Sequence, residues 1–417
     1  MTPEPWSLPR DWRWARFEEV AYVAAALTDP AGFPDLPHIA PNHIEAETGR
    51  LLPYATVAED GVTSAKHLFQ SGDILYSKIR PYLAKVALAP SVGLCSADMY
   101  PIRTHPELSP AYLRWWMLSR EFTRRAAGEQ ARTVLPKINK RSLYELPVPI
   151  SPLGEQRRIV DLLEDHLSRL DAAETSVRQA LKRSAALRRV SLERVVREAD
   201  GPDVPLGELA AIKNGIFVSR ASSQPDGVPI LRIGAVRALK LDLSDLRYSR
   251  RSAPDLSAEN MLLAHGDVVF TRYNGNPEFV GACAAVPAGV EPLTFPDKLI
   301  RARVDPGRVL PGFLAIACTV GRGREQIRRS VKTTAGQAGI SGRDLKRVEV
   351  RIPDLATQQL AVASAQAVDE HTDRLSITAL SAARRSAALR RALLEAAFTG
   401  RLTGDGSDAA VVEELAG

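Results

Sequence analysis

Two short loops of this 417-residue chain concentrate side chains able to do chemistry. The first is Ser77-Lys78-Ile79-Arg80-Pro81-Tyr82, and the second is Thr271-Arg272-Tyr273-Asn274-Gly275-Asn276. Arg pairs with guanine N7 and O6, Asn pairs with adenine, and Lys and the Tyr hydroxyl reach phosphate oxygens. Each residue alone is as readily explained as a solvated polar group, so the prediction of nucleic-acid reading rests on the set.

Other basic and polar residues extend these loops, mainly in the second half of the chain. Residues 201–352 hold 22 basic and 15 acidic side chains, a net charge of +7, whereas residues 1–150 hold 17 and 16, a net charge of +1. A basic surface is the electrostatic signature of nucleic-acid binding. The predicted DNA-binding set is Lys78, Arg80, Tyr82, Arg132, Lys137, Lys213, Asn214, Arg220, Arg232, Arg272, Tyr273, Asn274, Asn276, Lys332, Thr333 and Gln337.

Catalytic motifs are missing from the sequence. It contains no G-x-x-x-x-G-K-[ST], H-E-x-x-H, G-x-S-x-G or strand-to-helix G-x-G-x-x-G pattern. The seven histidines are scattered, and the three cysteines, Cys95, Cys283 and Cys318, form no C-x-x-C pair. We therefore expect a non-catalytic chain that holds no metal and no cofactor of its own.

Length and composition indicate a soluble protein of two or three domains. The hydrophobic fraction of 45% and the charged fraction of 25% are ordinary for globular chains. No apolar run approaches the roughly 18 residues of a membrane span, and the first residues lack the pattern of a secretory signal. We expect a cytoplasmic location and no contact with a membrane.

The second half of the chain repeats the first. Arg183-Ser-Ala-Ala-Leu-Arg-Arg189 recurs without change as Arg385-Ser-Ala-Ala-Leu-Arg-Arg391, at an offset of 202 residues. Upstream, Gly72-Asp73 corresponds to Gly266-Asp267, at an offset of 194. One domain plan is therefore present twice.

Each copy has a globular part followed by a long helix. Short strands such as Asp73 to Ser77 and Val268 to Arg272 alternate with turn signals, and a helical pair is predicted around Pro110 to Gly128 and Pro311 to Ser330. A short extended piece before Pro152 or Pro353 closes each copy. This order predicts a mixed α/β fold.

The predicted long helices each carry a heptad stripe of apolar and small residues. The first stripe is Ile159, Leu163, His166, Leu170, Ala173, Val177, Ala180, Ser184 and Leu187, and the second is Ala361, Ala365, Val368, Thr372, Leu375, Ala379, Ala382, Ser386 and Leu389. We predict that the two helices, each ~65 Å long, form an intramolecular pair. The alternative is that each helix packs on its own domain.

The chain resembles the specificity subunit of type I restriction-modification systems over nearly its whole length. The motifs that carry the resemblance are Leu8-Pro-Arg-Asp-Trp12-x-Trp14, the two Gly-Asp pairs, Leu146-Pro-Val-Pro-Ile150-x-Pro152-Leu-x-Glu155-Gln156-x-x-Ile159 and Ala396-Ala-Phe-Thr-Gly400-Arg-Leu402. Copy two departs from the pattern, since Thr357-Gln358-Gln359 replaces Glu-Gln and Arg351 replaces Pro.

The resemblance implies two target recognition domains, each reading half of a split, asymmetric site in double-stranded DNA. It also implies that the two long helices form an antiparallel intramolecular coiled coil that acts as the spacer. We assign residues 1–153 and 200–355 to these domains, 154–199 and 356–400 to the helices, and 401–417 to a flexible tail. The implied partners are two modification subunits, which methylate adenine with S-adenosylmethionine, and restriction subunits, which use ATP and Mg to translocate and cleave DNA.

Two other functions remain open. A coiled-coil scaffold or adaptor that binds proteins would show no salt-dependent DNA affinity. A self-contained nuclease or methyltransferase would act on DNA without partners.

Overall fold

The computed structural model describes residues 4–128, 136–218, 221–290, 292–334 and 336–403, and Arg132, Arg220 and residues 404–417 of the tail lie outside them. In the first copy the strands are β1 (Arg13–Arg16), β2 (Ala21–Val23), β3 (Leu27–Thr28), β4 (His38–Ile39), β5 (Lys66–Phe69), β6 (Ile74–Ser77), β7 (Val86–Leu88), β8 (Gly93–Cys95), β9 (Met99–Thr104) and β10 (Pro147–Ile150). The helices are α1 (Phe17–Val20), α2 (Pro110–Leu118), α3 (Arg120–Ala127), α4 (Lys140–Tyr144) and α5 (Leu153–Glu198).

In the second copy the strands are β11 (Asp203–Pro205), β12 (Ala210–Asn214), β13 (Val228–Ile230), β14 (Val236–Arg237), β15 (Lys240–Leu241), β16 (Arg247–Ser249), β17 (Leu262–Leu263), β18 (Val268–Thr271), β19 (Tyr273–Asn274), β20 (Cys283–Ala285), β21 (Leu293–Thr294), β22 (Leu299–Val304), β23 (Lys332–Thr334), β24 (Gln337–Gly339) and β25 (Glu349–Arg351). The helices are α6 (Leu206–Leu209), α7 (Ala253–Ala258), α8 (Pro311–Thr319), α9 (Gly321–Ser330), α10 (Gly342–Lys346) and α11 (Leu355–Phe398).

The two copies share one sheet plan. Each has a four-stranded antiparallel sheet, in the order β2-β9-β6-β7 in the first copy and β12-β22-β18-β20 in the second. A second four-stranded sheet accompanies each, in the orders β3-β5-β8-β4 and β16-β13-β21-β17. The repeat read from the sequence is thus a repeat of structure.

Each globular domain is closed by pairing of its first and last strands. Strand β1 pairs antiparallel with β10, with Arg13 opposite Ile150, and β11 pairs with β25, with Asp203 opposite Arg351. The long helix of each copy begins only a few residues after this closing strand.

Contacts divide the chain into two compact units, each with one domain and half of each long helix. The first unit is Met1–Val177 with Ala379–Gly417, and the second is Arg178–Thr378. In the first, Asp171 pairs with Arg390, and Ser386 donates a hydrogen bond of 2.6 Å to Glu174. In the second, Arg188 pairs with Asp369. Within each unit the helix halves therefore run antiparallel.

The predicted second stripe is largely correct, and the first is correct at six of its nine positions and wrong at three. Ala173, Ala180 and Leu187 are exposed, and the half-buried residues beside them are Glu174, Leu181 and Arg188. At two of these three positions the cause is that Glu174 and Arg188 face the other helix through polar contacts, which a pattern of apolar residues does not detect. In the second stripe, Leu375 is 40% exposed.

The first and last described segments meet in the first unit. Indole Nε1 of Trp6 donates to the carbonyl oxygen of Phe398 at 3.3 Å, and the Trp6 and Trp14 rings lie 5.4 Å apart. Gly400 has φ +77° and packs so tightly on Pro9 that a Cβ would lie 2.3 Å from Pro9 Cγ. The opening and closing motifs of the sequence thus form one packed cluster.

The predicted fold class is confirmed: a mixed α/β chain of two repeated domains with two long helices that pair antiparallel. Among the described residues, no helix is long and apolar enough to cross a membrane.

Candidate nucleic-acid interface

In the second domain, a small three-stranded sheet assembles much of the predicted set. Its order is β19-β24-β23, with Tyr273 opposite Gly339 and Thr333 opposite Ala338. The backbone N–H of Ile340 donates to the carbonyl oxygen of Arg272 at 3.0 Å and extends this pairing. The residues of the predicted set that the sheet carries are Tyr273, Asn274, Lys332, Thr333 and Gln337.

Arg272 is held in place by aromatic and backbone contacts. Its guanidinium carbon lies 4.7 Å from the Tyr273 ring centre, and the Lys298 ammonium lies 5.2 Å from the same ring. Nη1 of Arg272 donates to the carbonyl oxygen of Asp297 at 3.2 Å, while its buried Nε has no hydrogen-bond partner in the described chain. Cation–π stacking of this kind fixes a cation in place while leaving hydrogen-bond donors available.

Beside the sheet lies a cleft of about 810 Å³ that brings Asn214, Arg272, Tyr273 and Lys332 together. Among the described residues that line the cleft, Asp344 is the acidic one. Ser341 donates a hydrogen bond of 2.6 Å to its carboxylate. This hydrogen bond, assisted by Lys332 and Arg347, lowers the pKa of Asp344. The cleft is concave and basic, as a site for a polyanion requires.

Sequence reasoning missed three cleft residues. Arg343, Lys346 and Arg347 line the cleft from α10 and the residue after it, and all three side chains are exposed. The sequence repeat contained a signal for them. At the offset of 202, Tyr144 and Glu145 of the first copy correspond to the basic residues Lys346 and Arg347 of the second.

The first domain places its loop in the equivalent position. The backbone N–H of Arg80 donates to the carbonyl oxygen of Pro136 at 2.8 Å, and that of Ile138 donates to Lys78 at 2.9 Å. Arg80 and Tyr82 are exposed, and Arg80 has a left-handed backbone with φ +48°. The structure thus brings Lys78, Arg80 and Lys137 together on one edge.

Basic side chains on this edge already have partners. The Lys78 ammonium lies 5.1 Å from the Tyr100 ring centre, and Lys137 Nζ lies 3.3 Å from the Asp98 carboxylate. The Lys78 contact leaves its N–H donors available, whereas the Lys137 charge is shared with Asp98.

The remaining predicted residues lie elsewhere. The Arg232 side chain pairs with Asp245, and the Lys213 ammonium donates to the carbonyl oxygen of Glu259. Asn276 caps a short 3₁₀ turn by accepting from the backbone N–H of Glu278 at 3.0 Å. Each of the three side chains thus has a local partner, and its role in DNA binding stays a prediction.

The Gly-Asp pairs stabilise the framework beneath the loops. Asp73 accepts hydrogen bonds from Arg103 Nε at 2.8 Å and from the backbone of Gln70 at 2.8 Å. Asp267 repeats this arrangement with Arg303, whose Nε and Nη2 both lie 2.7 Å from its oxygens. In both copies the aspartate therefore joins the turn before its strand to an arginine of the neighbouring strand.

Within the described residues, no group of three or more His, Cys, Asp or Glu side chains is arranged to hold a metal ion. The three cysteines are buried, and burial raises the pKa of Cys95 to about 12.

Comparison with known proteins identifies the family. The model described as "Type I restriction modification DNA specificity domain" matches residues 34–183. The chain is 45% identical over 226 residues to the type I restriction enzyme EcoDI specificity subunit of Escherichia coli, covering 52% of this chain and 50% of that protein. It is 30% identical over 321 residues to the EcoKI specificity subunit of E. coli strain K12, covering 70% and 67%.

Solved structures show the same fold. One chain, from a study of complex assembly and conformational transition of the type I R-M system, has a TM-score of 0.75 and 22% identity, covering 95% of this chain and 100% of its own. The HsdS subunit from Thermoanaerobacter tengcongensis has a TM-score of 0.54 and 23% identity, covering 96% and 100%.

The match to the EcoDI subunit spans half of that relative, while the EcoKI match spans two thirds of both chains. These relatives are named as specificity subunits, in agreement with a non-catalytic chain. The protein belongs to the family of type I restriction-modification specificity subunits.

Proposed function

We propose that this chain recognises a bipartite, asymmetric DNA site, with one domain reading each half-site and the helix pair setting the spacer. One observation carries the proposal: two equivalent loops, Lys78 to Tyr82 and Arg272 to Asn276, present different side chains on the same framework. Two domains that recognise different base sequences need a common framework with different side chains in their recognition loops.

We also propose that two modification subunits dock on the long helices. The seven-residue identity between the copies supports this, because Arg183, Ala186 and Arg189 are exposed, as are Arg385, Ala388 and Arg391. Packing between the helices does not require identical residues at exposed positions. Binding of two copies of one partner does require them, because each copy must find the same surface. These subunits are expected to supply S-adenosylmethionine-dependent adenine methylation, and restriction subunits are expected to supply ATP- and Mg-dependent cleavage, all in the cytoplasm.

The test is single-molecule methylation profiling of DNA from cells that carry this chain with and without its partner genes. We expect methylated adenine in a two-part motif with a fixed gap, and only in cells that carry both this chain and its partner genes. Methylation or cleavage by the purified chain alone would establish an enzyme instead. Purified chain whose DNA affinity does not depend on salt would favour the protein-binding scaffold.

A further inference from the structure

We infer that Arg343, Lys346 and Arg347 form a phosphate-binding site for duplex DNA in the second domain, and that the equivalent helix of the first domain, α4, forms no such site. The inference rests on the proposed function and assigns a role to residues outside the predicted DNA-binding set. The ligand is the phosphodiester backbone, recognised by charge and independent of sequence.

The first step is the placement of the three side chains. Ser341 caps α10 by accepting a hydrogen bond of 3.1 Å from the backbone N–H of Asp344, and Leu345 is fully buried. A capped turn with a buried anchor holds Arg343, Lys346 and Arg347 outward along one side of the cleft. Asn214, Arg272 and Tyr273 line the same cleft. Backbone-binding and base-reading groups therefore lie within one surface.

The second step is that these charges are not neutralised. In the described chain, Arg343, Lys346 and Arg347 make no side-chain hydrogen bond and no ion pair within 4.0 Å. Asp344 lines the same cleft and lies close enough to Arg347 for that charge to lower its pKa, but its single negative charge faces three cations. When exposed cations neutralise phosphate groups, the DNA releases the counterions condensed on it. This release is the main source of salt-dependent affinity for DNA.

The third step is the contrast with the first domain. Its equivalent helix, α4, carries Lys140 and Arg141, and both have partners. Lys140 Nζ lies 5.2 Å from the Tyr144 ring centre, and Arg141 lies 3.5 Å from the Glu145 carboxylate. The exchange of Glu145 for Arg347 between copies reverses the charge at one position. The net charge is +1 over residues 140–145 and +2 over residues 342–347, so the second copy presents the more basic surface.

The experiment measures affinity of the full chain, assembled with its modification subunits, for a fluorescein-labelled duplex of random sequence by anisotropy between 50 and 300 mM KCl. We expect the triple variant Arg343→Gln, Lys346→Gln, Arg347→Gln to lower the salt slope by roughly 2.7, at about 0.9 per phosphate contact. Affinity near 0.1 M salt should fall on the order of 10²-fold. The matched variant Lys140→Gln, Arg141→Gln should lower the slope by less than about 1.

Further measurements separate the outcomes. Arg347→Lys keeps the charge and should keep the wild-type slope, and melting temperatures within the error of wild type show that the variants fold. A wild-type slope near zero would overturn the proposed function itself. A normal wild-type slope that the triple variant leaves unchanged, or that the first-domain variant lowers equally, would overturn this inference alone.

Discussion

The side chain of Gln156 accepts a hydrogen bond from the backbone N–H of Ser109 at 2.8 Å and thereby joins the first turn of α5 to the cap of α2. Its Nε2 donates to the carbonyl oxygens of Glu107 at 2.9 Å and Ser151 at 2.8 Å. The amide is fully buried and saturated. It fixes the angle at which the long helix leaves the domain.

Gln358 repeats this arrangement in the second copy. It accepts from the backbone N–H of Leu310 at 2.7 Å and donates to Pro353 at 2.9 Å. The motif departure at Thr357 leaves the helix start intact, since its backbone N–H donates to Asp354 at 2.7 Å.

Replacing this glutamine should destabilise the domain. Gln156→Ala leaves one backbone N–H and two carbonyl groups without a buried partner, and each such loss costs about 1–3 kcal/mol. We expect a loss of about 3 kcal/mol in the free energy of unfolding, measured by urea denaturation. Gln359→Ala, at an exposed position beside the equivalent residue, should change it by less than about 0.5 kcal/mol. Equal effects of the two substitutions would contradict the role given to Gln156.

The two Gly-Asp aspartates should differ in their effect on stability. In the second domain Arg301 is almost fully buried, 1% exposed, and lies 4.0 Å from the Asp267 carboxylate. Burial, with Arg303 nearby, lowers the pKa of Arg301, whereas Asp267 opposes that shift. Asp267→Ala leaves a buried cation without its counter-ion, for which about 3–5 kcal/mol is typical.

Asp73→Ala is the matched control, because its partner Arg103 is 37% exposed and can be solvated. We expect a loss about 2 kcal/mol smaller for this substitution. The measurement is urea denaturation of both variants, and a larger loss for Asp73→Ala would refute the comparison.

Lengthening both long helices should change the gap between the half-sites. One heptad inserted after Val177 and another after Thr378 add about 10 Å of helix, near 3 base pairs of B-DNA. A heptad preserves the faces that pair Asp171 with Arg390 and Arg188 with Asp369. Methylation profiling should return the same two half-sites with a longer gap, and an unchanged motif would refute the spacer role.

Cysteine alkylation should report global unfolding. The raised pKa of Cys95 leaves a minute thiolate fraction at pH 8, and all three thiols are buried. Iodoacetamide should therefore label the native chain slowly and label all three residues once urea unfolds it, as read by mass spectrometry. Labelling of Cys95 at the rate of a free thiol in the native chain would contradict its burial.

Much of the fold could be predicted from sequence because repetition and helical periodicity are local signals. The helical pairs and the closing strands lie within a few residues of the expected positions. The residues of α5 that face α11 were harder to predict, because Glu174 and Arg188 pack through hydrogen bonds that a hydrophobic pattern does not detect.

The candidate site was predictable only in part. The loop at Arg272 follows a strand and stood out by residue type, whereas Arg343, Lys346 and Arg347 look like ordinary charges in sequence. Their significance comes from the pairing of β24, which directly precedes α10, with β19, a long-range relationship that places them in one cleft with Arg272. Arg232 and Lys213 looked equally basic, yet local partners hold their side chains.

Pairing of β1 with β10, and of β11 with β25, has an evolutionary consequence. Adjacent strands lie about 4.8 Å apart, so the two ends of each domain lie almost at one point. A foreign domain whose terminal strands pair in the same way could replace it without disturbing the helix register. Recombination at these two boundaries would then exchange one half of the recognised sequence as an independent cassette, so that new specificities arise by combination rather than by gradual mutation.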